Sequence, residues 1–71
     1  MAPDHRRYMQ IAGIYRDQIQ RGQLPSGQAM PSARTIAQEH GVAMETARKS
    51  LRVLESEGLI EQVPGLPFYV R

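Results

Sequence analysis

The sequence predicts a mainly α-helical domain in which three helices precede a small β-hairpin. Apolar residues recur at helical spacing in three segments, and glycine or proline separates each segment from the next. Two short runs rich in β-branched and aromatic residues follow the third segment, with Pro64 and Gly65 between them. The predicted order of elements is therefore helix, helix, helix and hairpin.

The first helix is predicted over about residues 6 to 21. Its apolar stripe has spacings of three and four residues and consists of Tyr8, Ile11, Ala12, Tyr15 and Ile19. We expect Asp4 to cap its start and Gly22 to end it. Arg16 lies off the stripe and is expected to face the solvent.

A second, shorter helix is predicted over about residues 33 to 40. The hydroxyl of Ser32 can accept a hydrogen bond from a free amide of the first turn, which makes this residue a good N-cap. Ile36 and Ala37 share one face of the helix. Gly41 suits the left-handed conformation in which many helices end.

The third helix is predicted over about residues 44 to 57, with Gly58 as its stop. Its apolar stripe consists of Ala47, Leu51 and Leu54. Ala43 stands at the cap position but has no side-chain acceptor, so the start of this helix is weakly specified.

Turn-forming residues define the loop before the second helix and the hairpin after the third. Residues 22–31 contain two glycines and two prolines and are predicted to form a loop, in which 28–30 is a candidate for a very short strand. The hairpin strands are predicted at 59–63 and 68–70. Pro64-Gly65 fits the centre of a type II turn, because proline presets φ and glycine tolerates positive φ.

Length and composition narrow the classes of function. The 71 residues suffice for a single domain, 1–71, with one small core. The chain has no cysteine, which excludes disulfides and thiolate metal sites. No apolar run approaches the roughly 20 residues of a membrane span, and the polar, basic N-terminus is unlike a signal peptide. We therefore expect a cytoplasmic protein with no membrane partner.

An enzyme is not expected. No grouping of Ser, His and an acid resembles a catalytic site, and His5 and His40 are too isolated to suggest a metal site. No cofactor is expected. The net charge of +2 is weak evidence for a nucleic-acid partner. Arg48, Lys49 and Arg52 fall within one short segment, which taken alone is more typical of a solvated helix face than of a nucleic-acid site.

The order of elements carries the functional prediction. Two helices joined by a tight turn at Gly41 and followed by a hairpin are typical of a winged helix-turn-helix domain. In such a domain the second helix of the pair enters the major groove of double-stranded DNA, and the hairpin wing lies beside it. If the stripe of the third helix faces the core, the outward residues near its start are Met44, Glu45, Arg48, Lys49 and Arg52. These include cations suited to phosphates and to guanine.

A family resemblance supports this interpretation. The run Met30-Pro31-Ser32-Ala33-Arg34-Thr35-Ile36-Ala37 resembles the L-P-S-E-R-E-L-A signature of GntR-type bacterial transcriptional regulators. The resemblance extends from about Tyr8 to Val70. Leu24-Pro25-Ser26-Gly27 is similar to the family's L-P-P-G loop, and further matches occur at Gly41, Val42, Thr46, Arg48, Leu51, Leu54, Glu55, Glu57, Gly58, Leu59 and Ile60.

The resemblance implies roles for individual residues. It assigns DNA contacts to Arg34, Thr46 and Arg48, and a close approach to the minor groove to Gly65. It makes Ser32 and Lys49 phosphate contacts. It also implies a homodimer on an inverted repeat in DNA, acting as a repressor or an activator. Such regulators usually continue into an effector-binding and dimerising domain, which we expect to be absent from residues 1–71.

The chain departs from the family pattern on the surface that would face DNA. Ala43 and Met44 stand where Ser or Thr and then Arg are usual, and Glu45 stands where threonine is common. The wing sequence Val63-Pro64-Gly65-Leu66-Pro67 carries no charge. These departures keep a second interpretation open, in which the domain binds a protein partner and its DNA binding is weak or lost.

Overall fold

The computed structural model describes residues 3–71, with side chains from Arg6 onward. Its elements are α1 (Pro3–Gln20), α2 (Ala33–His40), α3 (Met44–Ser56), β1 (Ile60–Gln62) and β2 (Phe68–Val70). The two strands pair antiparallel, with Ile60 opposite Val70. The predicted fold class is confirmed, and the bounds of α2 and β2 agree with the prediction.

The start of α1 differs from the prediction. The helix has already begun at Pro3, so Asp4 lies inside it and the prediction of an Asp4 cap is wrong. Proline suits a first turn, because it has no N–H to leave unpaired and its φ is preset. The side chains of Asp4 and His5 lie outside the described residues. At the other end, Gly22 has a φ of 81° just beyond the helix, as expected of a stop.

The core forms where the stripes of the three helices meet the hairpin. Helix α3 is central, because both α1 and α2 pack against it. The buried apolar residues are Ile11, Ala12, Tyr15, Met30, Ile36, Ala37, Ala47, Leu51, Leu54, Ile60 and Val70. Removing each large aliphatic side chain from water contributes roughly 1.5–3 kcal/mol to stability. The three predicted stripes thus account for most of this core.

The loop before α2 is joined to the hairpin by backbone hydrogen bonds. Gly27 N donates to Val70 O at 2.8 Å, and Met30 N donates to Phe68 O at 2.8 Å. Ala29 forms an isolated bridge with Tyr69, which confirms the very short strand expected at 28–30. Strand β2 therefore lies between β1 and this loop, so the start of α2 is held beside the wing.

Polar side-chain contacts hold α1 against the other helices. The guanidinium of Arg16 forms an ion pair with Glu57, just after α3, and its side chain is only 30% exposed. Arg16 is thus only partly exposed to the solvent that it was expected to face, because its guanidinium meets Glu57. Near the start of α1, Arg7 Nη2 donates to the carbonyl oxygen of His40 at 2.9 Å. The Tyr15 hydroxyl lies 3.2 Å from His40 Nε2, so α1 also fixes the end of α2.

Candidate nucleic-acid interface

The start of α2 presents one capped helix end and one unpaired cation. Ser32 has extended backbone angles and accepts a hydrogen bond from Thr35 N at 3.1 Å, so the predicted N-cap is confirmed. Arg34 lies in the first turn and is exposed. Among the described residues it has no hydrogen-bond or ion-pair partner. Its guanidinium is available to an external anion.

The turn between α2 and α3 is short and fixed by the backbone. Gly41 adopts the left-handed conformation with φ of 64°, as predicted. Val42 N donates to Ala37 O at 3.0 Å, which closes the turn. Ala43 takes the cap position of α3 with φ of −68° and makes no side-chain cap bond, as its sequence predicts. This turn brings the first residues of α3 to the surface.

The first turns of α3 expose Met44, Glu45 and Arg48. Met44 is 37% exposed, although it is apolar. Glu45 Oε1 lies 3.6 Å from Arg48 Nη1, and both side chains are more than half exposed. A cation that the sequence places on the DNA-facing surface thus has a carboxylate beside it.

Lys49 is directed toward α1. Its Nζ lies 5.8 Å from the centre of the Tyr8 ring, a cation–π distance, and the residue is half-buried. Lys49 therefore lies at the flank of α3 that borders α1. Glu45 also has Lys49 four residues away, but its carboxylate pairs with Arg48.

Thr46 is not on the surface. Its side chain is 1% exposed and packs inside with Ala47, whereas the family resemblance assigns a DNA contact to this residue. Its Oγ1 atom is buried and has no hydrogen-bond partner among the described residues. Ser50, one turn later, is fully buried too, but its hydroxyl donates to Ala47 O at 2.6 Å. The buried stripe of α3 is one row wider than the sequence indicated.

A groove of about 340 Å³ lies between α3, the start of α2 and the hairpin. We call it the α3–hairpin groove, and the residues that line it include Ser32, Arg48, Arg52, Glu55, Gln62 and Phe68. It brings three of the predicted site residues together: Ser32, Arg48 and Arg52. It does not include Arg34, Met44, Glu45, Lys49 or Gly65.

Sequence reasoning missed part of this groove. Glu55 follows Arg48 by seven residues, so helical periodicity alone places it on the same stripe. Gln62 and Phe68 come from paired positions of the two strands. Their approach to α3 depends on how the hairpin packs, which no local pattern indicates.

The wing tip is apolar and open. Leu66 N donates to Val63 O at 2.9 Å and Gly65 has a φ of 81°, which agrees with the predicted type II turn. Val63 is 43% and Leu66 50% exposed. A Cβ atom added at Gly65 would meet no atom within 4 Å, so another surface can approach the backbone there.

The perturbed ionisable groups lie in the scaffold. Hydrogen bonding to Arg16 lowers the pKa of the Glu57 carboxyl, and the same bond raises the pKa of Arg16. Burial raises the pKa of the Tyr15 phenol, and the charge of Glu39 raises it further. Among residues 3–71, no helix has the length and apolar character of a membrane span. The described side chains also include no group of three His, Cys, Asp or Glu residues placed to hold a metal ion.

Comparison with known families agrees with the geometry. The family described as "Bacterial regulatory proteins, gntR family" matches residues 7–70. The mannosyl-D-glycerate transport/metabolism system repressor MngR of Escherichia coli K12 is 39% identical over 64 residues, which are 90% of this chain and 27% of that protein. The repressor NagR of Bacillus subtilis is 33% identical over 63 residues, which are 89% of this chain and 26% of that protein. The chain spans about a quarter of the length of these curated relatives.

Solved structures show the same fold. The DNA-binding domain of AraR in complex with operator ORX1 is similar over 100% of this chain and 82% of that chain, with a TM-score of 0.87 and 30% identity. A GntR-family regulator is similar over 92% of this chain and 26% of its own, with a TM-score of 0.85 and 37% identity.

Proposed function

Because the chain belongs to the gntR family of bacterial regulatory proteins, we propose that it binds double-stranded DNA in a sequence-specific manner and thereby regulates transcription. The observation that carries this proposal is the α3–hairpin groove. There two arginines of α3, the capped start of α2 and the hairpin border one surface. The operator complexes of the AraR domain, which has the same fold, support the assignment.

On this proposal α3 enters the major groove with its exposed first turns. Arg48 contacts a base or a phosphate, Arg34 contacts DNA from the start of α2, and Arg52 neutralises a phosphate. Ser32 and Lys49 lie at the edges of this surface and contact phosphates of the DNA backbone. The open tip at Gly65 approaches the minor groove. Thr46 has no part in this assignment, because its side chain is buried.

The assembly follows from the size of one domain. A single module of this type buries only about 600–1,000 Å² on DNA, so affinity is gained when two copies bind adjacent half-sites. The proposal therefore includes a homodimer on an inverted repeat, in which residues 1–71 of each copy act as one DNA-binding domain. It also includes action in the cytoplasm as a regulator and not as an enzyme.

The test uses fluorescence anisotropy on duplexes selected from a random library. We expect Arg34→Ala and Arg48→Ala each to weaken binding by about 1–3 kcal/mol. Arg21→Ala is the control, because Arg21 is an exposed arginine just after α1 that pairs with Asp17 as Arg48 pairs with Glu45, and this variant should bind DNA like the parent. If all three variants bind DNA like the parent, the proposed interface is wrong.

The second candidate is a protein-binding winged helix. It is favoured by the exposure of apolar side chains at the start of α3 and at the wing tip: Met44, Val63 and Leu66. Salt separates the two candidates, because DNA binding through Z phosphates weakens with a logarithmic slope of about −0.9Z. A chain that binds no selected duplex even at low salt would favour the protein partner.

A further inference from the structure

The ion pair between Glu45 and Arg48 places a negative charge on the surface through which α3 is proposed to meet DNA. The carboxylate lies in the first turn of the helix, and its Oε1 atom is 3.6 Å from Arg48 Nη1. Both side chains are more than half exposed, 58% for Glu45 and 51% for Arg48. Exposed pairs of this kind contribute little to stability. The ion pair therefore matters mainly for how strongly this surface binds a charged partner, and little for the stability of the fold.

The charge of Glu45 acts differently on phosphates and on bases. A phosphate that binds Arg48 comes close to the Glu45 carboxylate, and the two negative charges repel each other. This cost applies to DNA of every sequence. In the major groove a cytosine amine can donate to a carboxylate, while the paired guanine presents two acceptors to an arginine. Only at such a C·G base pair do Glu45 and Arg48 each find a hydrogen-bond partner on the DNA.

We propose, on the basis of the proposed function, that Glu45 is a specificity-determining residue. Paired with Arg48, it lowers the affinity of this surface for arbitrary DNA and restores it only where a C·G pair faces the start of α3. The other cations named at the interface do not share this arrangement. Arg34 has no partner among the described residues, and Lys49 lies over the Tyr8 ring.

The test compares Glu45→Gln with a closely matched control. Glu61 of β1 is also 58% exposed and pairs with an arginine, Arg71, at 3.4 Å. Glu61→Gln therefore removes the same charge from a similar ion pair that lies on β1 and not at the start of α3. For each variant and the parent, affinity is measured on the duplex selected by the parent and on a scrambled duplex, at several salt concentrations. Thermal melting confirms that each variant folds.

We expect Glu45→Gln to bind the scrambled duplex more tightly, with a salt slope steeper by about one because Arg48 gains a phosphate. The preference for the selected duplex should fall about tenfold, as for the loss of one base contact. Library selection on this variant should lose the cytosine. Glu61→Gln should change neither the salt slope nor the preference for the selected duplex.

Two negative results have different meanings. If the parent binds duplexes and Glu45→Gln matches Glu61→Gln in preference and salt slope, the role of Glu45 is overturned and the proposed function stands. If the parent binds no duplex at any salt concentration, the proposed function itself fails, and the role of Glu45 fails with it.

Discussion

The Arg16 guanidinium donates two parallel hydrogen bonds to the Glu57 carboxylate, at 2.7 and 2.6 Å, across 41 residues of sequence. This paired geometry is the most favourable one for an arginine and a carboxylate. It fixes the middle of α1 against the residue that caps the end of α3. The orientation of α3 on the scaffold thus depends on charge as well as on apolar packing.

The first prediction is a loss of stability in acid. Because Glu57 has a lowered pKa in the folded chain, its contribution is complete above its unfolded value of about 4.3 and disappears as the pH falls through the lower folded value. We expect Glu57→Gln to reduce the free energy of unfolding by about 0.5–1 kcal/mol at pH 7, since the pair is partly exposed. At a pH below the folded value the variant and the parent should have the same stability.

Urea unfolding at the two pH values checks this prediction. Glu55→Gln is the control, because Glu55 forms no ion pair with a described residue. An equal loss at both pH values would mean that Glu57 acts by packing and not by its charge.

The second prediction concerns the uncapped start of α3. Ala43 has φ of −68° and ψ of 155°, almost the angles of Ser32, whose hydroxyl accepts from the third residue beyond it. A serine at position 43 should accept from Thr46 N in the same way. We expect Ala43→Ser to stabilise the domain by about 1 kcal/mol, or about 4–8 °C in Tm. Ser32→Ala should lose a similar amount in the same thermal melts. A lower Tm for Ala43→Ser would contradict the cap geometry.

The third prediction tests the buried hydroxyl. A buried hydroxyl without a hydrogen bond costs about 1–3 kcal/mol, and valine has the same shape with a methyl group in its place. Thr46→Val should therefore raise the free energy of unfolding by about 1 kcal/mol and leave DNA affinity unchanged. Thr35→Val is the control, because the Thr35 hydroxyl has a hydrogen-bond partner in Ser32 at 3.0 Å. This variant should not raise the free energy of unfolding. A folded Thr46→Val variant with weakened DNA binding would show that this hydroxyl turns outward on DNA.

Local rules predicted the parts of the fold that depend on neighbouring residues. The cap at Ser32, the left-handed Gly41 and the turn around Gly65 each follow from the conformations open to a residue type, and each is confirmed. Helix α1 includes Pro3 and thus begins before the predicted start at about residue 6, because proline also favours a first turn.

Contacts between distant residues could not be predicted in this way. Glu45 has two cations within helical reach; it pairs with Arg48, while Lys49 lies over the Tyr8 ring of α1, a contact that depends on how the two helices pack. The pairing of Arg16 with Glu57 likewise depends on how α1 packs against α3. The burial of Thr46 follows from the same packing. Because α1 and α2 both cover α3, the exposed face of α3 is narrower than the sequence pattern of one apolar stripe implies.

The last prediction concerns Met44, whose side chain is exposed at the start of α3 where GntR-type relatives usually have arginine. Met44→Arg adds a cation next to the pair of Glu45 and Arg48 and offers a further contact to a guanine or a phosphate. We expect tighter binding to the selected duplex, a salt slope steeper by about one and a half-site with one more guanine preference. Ile14→Arg is the control, because it adds the same charge at a comparably exposed position of α1 and not of α3, 44% against 37%. If library selection gives the same half-site and the same affinity for both variants, position 44 does not contact bases, and methionine there only covers the turn before α3.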